Sequence, residues 1–195
     1  MAVLSFADAI APDDSTNLPD DSVERRYLYL ARCRRIRVGP AVTIVFENRQ
    51  TLWFRVQELA QVARLTDPTQ VRFELDWYTG LLPDAGRLNA AVWVAEPGRR
   101  PSKALGIIRK AIAAGRIGFR ADDGREIPGV FRTDRVGDTI IGLTLWAEFP
   151  FTVADRAALA DHRHTWHLTM EAEGYVHSSE PLPDAVRLSL LDDLV

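Results

Sequence analysis

Between residues 116 and 149 short β-branched and aromatic runs are separated by very tight turns, and this spacing constrains the fold more than any other feature of the chain. Residues 117–120, a turn at Asp122-Asp123-Gly124, and residues 127–131 read as a β-hairpin. Gly137-Asp138 makes a second turn before a further strand over 139–149. Strands joined so closely pair antiparallel, because a parallel pair needs a crossover of a dozen or more residues. Residues 41–46 are rich in β-branched residues and read as a strand, and 165–171 alternates as one. In 87–96 Ala90, Val92 and Val94 lie on one side and Ala91, Trp93 and Ala95 on the other, the pattern of a central strand.

Helices fill the intervals. Ser22 caps a first helix over 22–33, and Asn48 caps a second over 49–65 with Leu52, Val56, Leu59 and Ala63 along one stripe. Asp67-Pro68 opens a third, carrying Val71, Leu75, Tyr78 and Leu82. Residues 104–114 end at Gly115, and Ser102 is the cap of that helix. Thr152 caps a helix to 162, and a terminal helix covers 182–193. The expectation is an α+β fold, with a mixed, largely antiparallel sheet of about six strands and helices packed against it. Residues 1–21 mix small residues, proline and aspartate and read as a loosely tethered N-terminal arm; 22–195 form a single domain.

A chain of 195 residues, 47% hydrophobic and 26% charged, can bury a sizeable core without staples. Its net charge of -3 argues against a dedicated nucleic-acid binder. Cys33 is the one cysteine, so neither an internal disulfide nor a thiolate metal cluster can be built. No apolar run approaches the roughly 18 residues of a membrane span, and the N-terminus lacks a basic signal-peptide region. The compartment expected is the cytoplasm. No phosphate loop, dinucleotide fingerprint or nucleophile elbow is present.

Three groupings carry chemistry. Glu47, Asn48 and Arg49 end a strand and begin a helix that carries Arg55, Gln57 and Glu58, with Glu74 on the next helix. A carboxylate beside a helix N-terminus and arginines has its charged form favoured, and two of them in a cleft could bind a cation or share acid/base work. Against this stands plain scaffolding: Asn48 is an ordinary cap, and Arg55 and Glu58 are spaced as a surface pair. The second grouping is Arg32, Arg34, Arg35 and Arg37, with Arg25 and Arg26, which could hold an anion or acidic partner bidentately, or simply form a solvated face. Cys33 lies among these cations, which lower a thiol pKa if the group is exposed. The third is His162, His164 and His167, a weak candidate metal site because His162 falls at a helix end and His167 points opposite to His164.

The runs RRIRVGPAVTIVFEN at 34–48, TLWFRVQEL at 51–59, FELDWYTGLLP at 73–83, RLNAAVWVAE at 87–96 and LPDAVRLSLLDDL at 182–194 together resemble the uncharacterised bacterial family known as domain of unknown function 3501. The resemblance runs from about residue 20 to the end, with departures at Arg55, Ala63 and Thr79. It implies no established activity and names no cofactor. It does imply work beside rubrerythrin-like or iron–sulfur oxidoreductase proteins, by gene association. The function expected is therefore an accessory or protein-interaction protein supporting an iron-dependent redox or oxidative-stress system. The alternative is a small-molecule binder or enzyme using Glu47, Arg55 and Glu58, with or without a divalent metal.

Overall fold

The computed structural model describes residues 23–62, 68–94, 103–132 and 144–195; the side chains of residues 23, 56–62, 68, 70, 71, 74, 75 and 103–105 are outside that description. The proposed arm, Asp67 and Ser102 lie outside the described residues. Eight strands are present, not about six: β1 (Arg35–Val38), β2 (Val42–Glu47), β3 (Arg87–Val94), β4 (Arg116–Ala121), β5 (Glu126–Phe131), β6 (Thr144–Pro150), β7 (Trp166–Ala172) and β8 (Tyr175–Ser178). They form one sheet in the order β1-β2-β3-β6-β5-β4-β7-β8, and every neighbouring pair is antiparallel, so the sheet is not mixed.

The two strands that sequence reasoning missed are the edge strands. Gly39-Pro40 is the turn of a hairpin between β1 and β2. β1 is only four residues long, and Arg35 and Arg37 alternate with Ile36 and Val38, which disguises it. Short, charged strands are how sheets blunt their edges. β8, equally short, follows Gly174, whose φ of 70° is the left-handed conformation that glycine adopts freely.

The two edges are drawn together, so the sheet is nearly a barrel. The Tyr175 hydroxyl on β8 donates to the Val38 carbonyl at 2.5 Å and accepts from the Ala41 and Val42 amides at 3.1 Å each. One side chain thus supplies the hydrogen bonds that a missing ladder would have made. Gly39 (φ 68°) lies so close to this contact that a Cβ there would stand 2.5 Å from His177 Cγ.

Strand alternation sorts the side chains into two clusters. Ile44, Phe46, Leu88, Val92, Phe119, Phe149, Leu168 and Met170 point into the main core, where Phe46, Phe119 and Phe149 pack with ring centroids 5.2–5.6 Å apart. Helices α4 (Lys103–Ala113), α5 (Val153–Ala160) and α6 (Asp184–Asp192) add Ile112, Leu159, Val186 and Leu190 to it. Thr152 begins α5 with a reciprocal capping box to Asp155. The opposite face of β2, β3 and β6 carries a smaller cluster. There Leu52 of α2 (Arg49–Val62), and Tyr78 at the end of α3 (Pro68–Thr79) with Leu81 just beyond, cover Ala91 and Trp146. Before β1 stands α1 (Val23–Tyr29), which runs into a single π-helical turn, Leu30–Arg34.

Candidate functional site

Glu47 closes β2, and the strand's period of two turns it away from the Phe46 core onto the face beneath α2. It is fully buried. A carboxylate can sit there only if its oxygens are matched. Arg55 directs both Nε (2.7 Å) and Nη2 (2.6 Å) to Oε1, and the Thr51 hydroxyl donates to Oε2 at 2.5 Å. Thr51 and Arg55 are one helical turn apart, so the same face of α2 presents both donors. The Arg55 guanidinium lies over the rings of Trp93 (5.5 Å) and Trp146 (5.4 Å), and its side chain is only 11% exposed. Cation–π attraction strengthens when the cation is desolvated in this way.

Asn48 caps α2 as expected: Oδ1 accepts from the Thr51 amide at 3.0 Å, and the Thr51 hydroxyl accepts from the Asn48 amide at 2.8 Å. Asn48 also does something no capping rule foretells. Its Nδ2 donates to the Tyr29 hydroxyl at 2.8 Å, and that hydroxyl accepts from Arg34 Nε at 2.8 Å as well. Arg34 is turned inward by the π-helical turn and is ion-paired with Asp193 just past α6. Burial opposes the guanidinium charge, but the hydrogen bond and charge of Asp193 outweigh it and hold the Arg34 pKa above its ordinary value. Asp193, Arg34, Tyr29, Asn48, Thr51, Glu47 and Arg55 therefore form one continuous polar chain from the C-terminal helix to the indole pair.

The other expected site residues that the structure describes do not gather around Glu47. Arg49 is exposed in the first turn of α2. The side chains of Gln57, Glu58 and Glu74 are outside the described residues, and Arg55 pairs with Glu47. The arginine cluster divides. Arg34 is buried, while Arg32 and Arg37 are exposed and Arg35 lies over the Tyr27 ring at 5.4 Å. Cys33 is a free, half-buried thiol.

The three histidines each take a different partner. His162 Nδ1 faces Asp184 at 3.1 Å, His164 Nδ1 faces Asp122 at 3.0 Å, and His167 Nδ1 faces the Ser179 carbonyl at 2.9 Å. They do not make a common ligand set. Among the described residues the grouping with metal-ligand spacing is Asp122, Asp123 and His164, whose ligand atoms lie within 4.8 Å of one another. The Asp122 carboxylate there accepts from the Thr165 amide and from His164, which together hold its pKa below the ordinary carboxylate value. These contacts clasp the β4–β5 turn to the loop before β7.

Sequence reasoning missed Tyr29, Thr51, Trp93, Trp146, Asn89 and Asp193. Two signals were available. Glu47, Thr51 and Arg55 recur every fourth residue across the strand–helix junction, and Asn89 is a lone amide inside an apolar strand. Asn89 is fully buried, lies between Glu47 and Glu148 in the sheet register, and makes only a long 3.5 Å contact from Nδ2 to the Leu82 carbonyl.

Comparison with known proteins supports the resemblance noted in the sequence. The family model described as protein of unknown function DUF3501 matches residues 21–194. A crystal structure of a novel protein of unknown function from Burkholderia pseudomallei K96243 shares the fold, with a TM-score of 0.73 and 21% identity over 88% of this chain and 89% of that one. No curated protein matches.

Proposed function

The chain belongs to the DUF3501 family of proteins of unknown function, and from that premise we propose that it is an accessory protein that binds an acidic protein partner through α1 and β1. One observation carries this reading. Tyr27 (59% exposed) and Leu28 (43% exposed) stand on a surface that also presents Arg25, Arg32, Arg35 and Arg37, with Glu24 as the acidic residue on α1. Interfaces favour this mixture of aromatic side chain and guanidinium, and the planar fork of arginine suits carboxylates. The junction that looked reactive in the sequence has its carboxylate occupied by three donors, which suits a brace better than an acid/base group. The partner class comes from the family resemblance: a rubrerythrin-like or iron–sulfur oxidoreductase protein.

Purified chain and purified partner of that class, encoded beside it, would be titrated by calorimetry at two ionic strengths. Binding should weaken as salt rises, and the R32E/R37E variant should lose at least about tenfold in affinity, roughly 1.4 kcal/mol. Absence of heat with either partner class at low salt, or equal binding by the charge-reversed variant, would defeat the proposal.

A further inference from the structure

His164 stands with both ring nitrogens toward carboxylates. Nδ1 lies 3.0 Å from Asp122 Oδ1, and Nε2 lies 3.7 Å from Asp123 Oδ2. A carboxylate can only accept, so the first contact requires the proton on Nδ1. In the neutral imidazole Nε2 then carries the lone pair, and it faces a second acceptor. Two acceptors aimed at one another across 3.7 Å call for a cation between them.

The gap has the size of a metal-ligand edge. With Zn–N and Zn–O bonds of about 2.0–2.2 Å, two ligands of a tetrahedral ion stand about 3.4 Å apart. Nε2 and Oδ2 need to close by only about 0.3 Å to meet that spacing. The two ligands are already held in place by other bonds. The Asp122 amide donates to the Thr165 carbonyl and the Thr165 amide donates to Asp122 Oδ2, at 3.0 Å each, so the β4–β5 turn is fixed against the residue that follows His164. Asp123 Oδ1 accepts from the Arg125 amide at 3.0 Å, which sets the rotation of the carboxylate and leaves Oδ2 toward His164. The other cation near Oδ2 is Arg125 Nη2, also at 3.7 Å and on a half-exposed side chain, a weak pairing that an ion can displace. His164 and Asp123 are 32% and 28% exposed, so the gap is open to solvent. A carboxylate on Nδ1–H opposite a free Nε2 is also how proteins orient a metal-ligating histidine, since it fixes the tautomer and raises the basicity of the ligand nitrogen.

We propose that this clasp is a binding site for a zinc-like divalent ion, ligated by His164 Nε2 and Asp123 Oδ2 and completed by water, with Asp122 orienting the imidazole. An imidazole ligand selects zinc, nickel or copper over magnesium and calcium, which prefer all-oxygen sites. No residue of α1 or β1 takes part, and the site does not rest on the partner-binding reading.

The probe is zinc chloride titrated by calorimetry into the full chain at neutral pH in a non-chelating buffer, with the imidazole nitrogens followed by ¹⁵N NMR. One equivalent should bind with Kd below about 100 µM, and excess magnesium should not displace it. Zinc should shift the His164 Nε2 resonance and leave its Nδ1 carrying the proton. D123N and H164A should each weaken binding at least tenfold, D122N about tenfold through the lost orienting bond, and H162A should leave it unchanged. D123N keeps both Asp122 contacts, so it removes a ligand without opening the clasp. No saturable binding below millimolar zinc, equal competition by magnesium, an unmoved His164 Nε2, or undiminished binding by D123N and H164A would overturn the proposal; the last of these marks an adventitious ion only.

Discussion

Removing either member of the Glu47–Arg55 pair should be among the most damaging single changes available to this chain. The carboxylate is fully buried and the guanidinium nearly so, with two N–H groups converging on Oε1 at 2.6–2.7 Å. In R55M the carboxylate keeps only Thr51 and stays in a dry place; in E47Q the guanidinium keeps its indole neighbours but loses the charge of Glu47. Breaking a buried pair from one side costs about 3–5 kcal/mol, because an uncompensated charge is left behind. For a chain of this length each kcal/mol lowers Tm by about 2–4 °C, so each single variant should melt about 6–20 °C lower. The double variant E47Q/R55M removes both charges of the pair and should cost clearly less than the sum of the two. Urea unfolding followed by tryptophan fluorescence measures all four corners of the cycle, since Trp93 and Trp146 flank the pair. A single-variant cost below about 1 kcal/mol, or strict additivity, would mean that the pair behaves like an exposed one and would refute the reasoning.

Two further outcomes follow from other contacts. Y175F removes the donor to Val38 and the shared acceptor of the Ala41 and Val42 amides, and should cost about 3 kcal/mol and speed hydrogen exchange at those two amides; unchanged exchange there would show that the hydroxyl does not hold the sheet edges together. Asp122, whose pKa the Thr165 amide and His164 lower, stabilises the fold above the unfolded carboxylate pKa of about 3.9 and loses that contribution as pH falls through its lower folded value. Carboxyl-carbon NMR should find its midpoint below that of a free aspartate, and a midpoint at or above it would contradict the clasp.

The interior strands were legible because each carries six to eight residues of clear pattern, as in RLNAAVWV of β3. β1 and β8 were not, because four residues give alternation too little length, and half of β1 is arginine. The same limit applies to the site. Asn48 and Thr51 meet within one turn, so capping chemistry reaches them from sequence. Arg55 reaches Glu47 eight residues back, across the junction, a contact that the pairing rule within one helix does not offer. Arg34 and Asp193 are 159 positions apart, and nothing local joins them. Their meeting depends on the π-helical turn and on where α6 ends, both products of the assembled core.

That long-range pair explains why a polar chain runs where apolar packing could have served. Leucines and methionines in place of buried ions are often as stable or more so, so stability alone does not account for the arrangement. Geometry does. α2 covers the outer face of β2 and β3 with Leu52 in the small apolar cluster, and apolar contact by itself is not directional. Thr51 and Arg55 accept only one placement over Glu47, because their donors are directional and the acceptor is fixed at a strand end. Asn48, tied through Tyr29 and Arg34 to Asp193, fixes the first residues of α2 against the end of α6. Between these two anchors the guanidinium of Arg55 can rest only across Trp93 and Trp146.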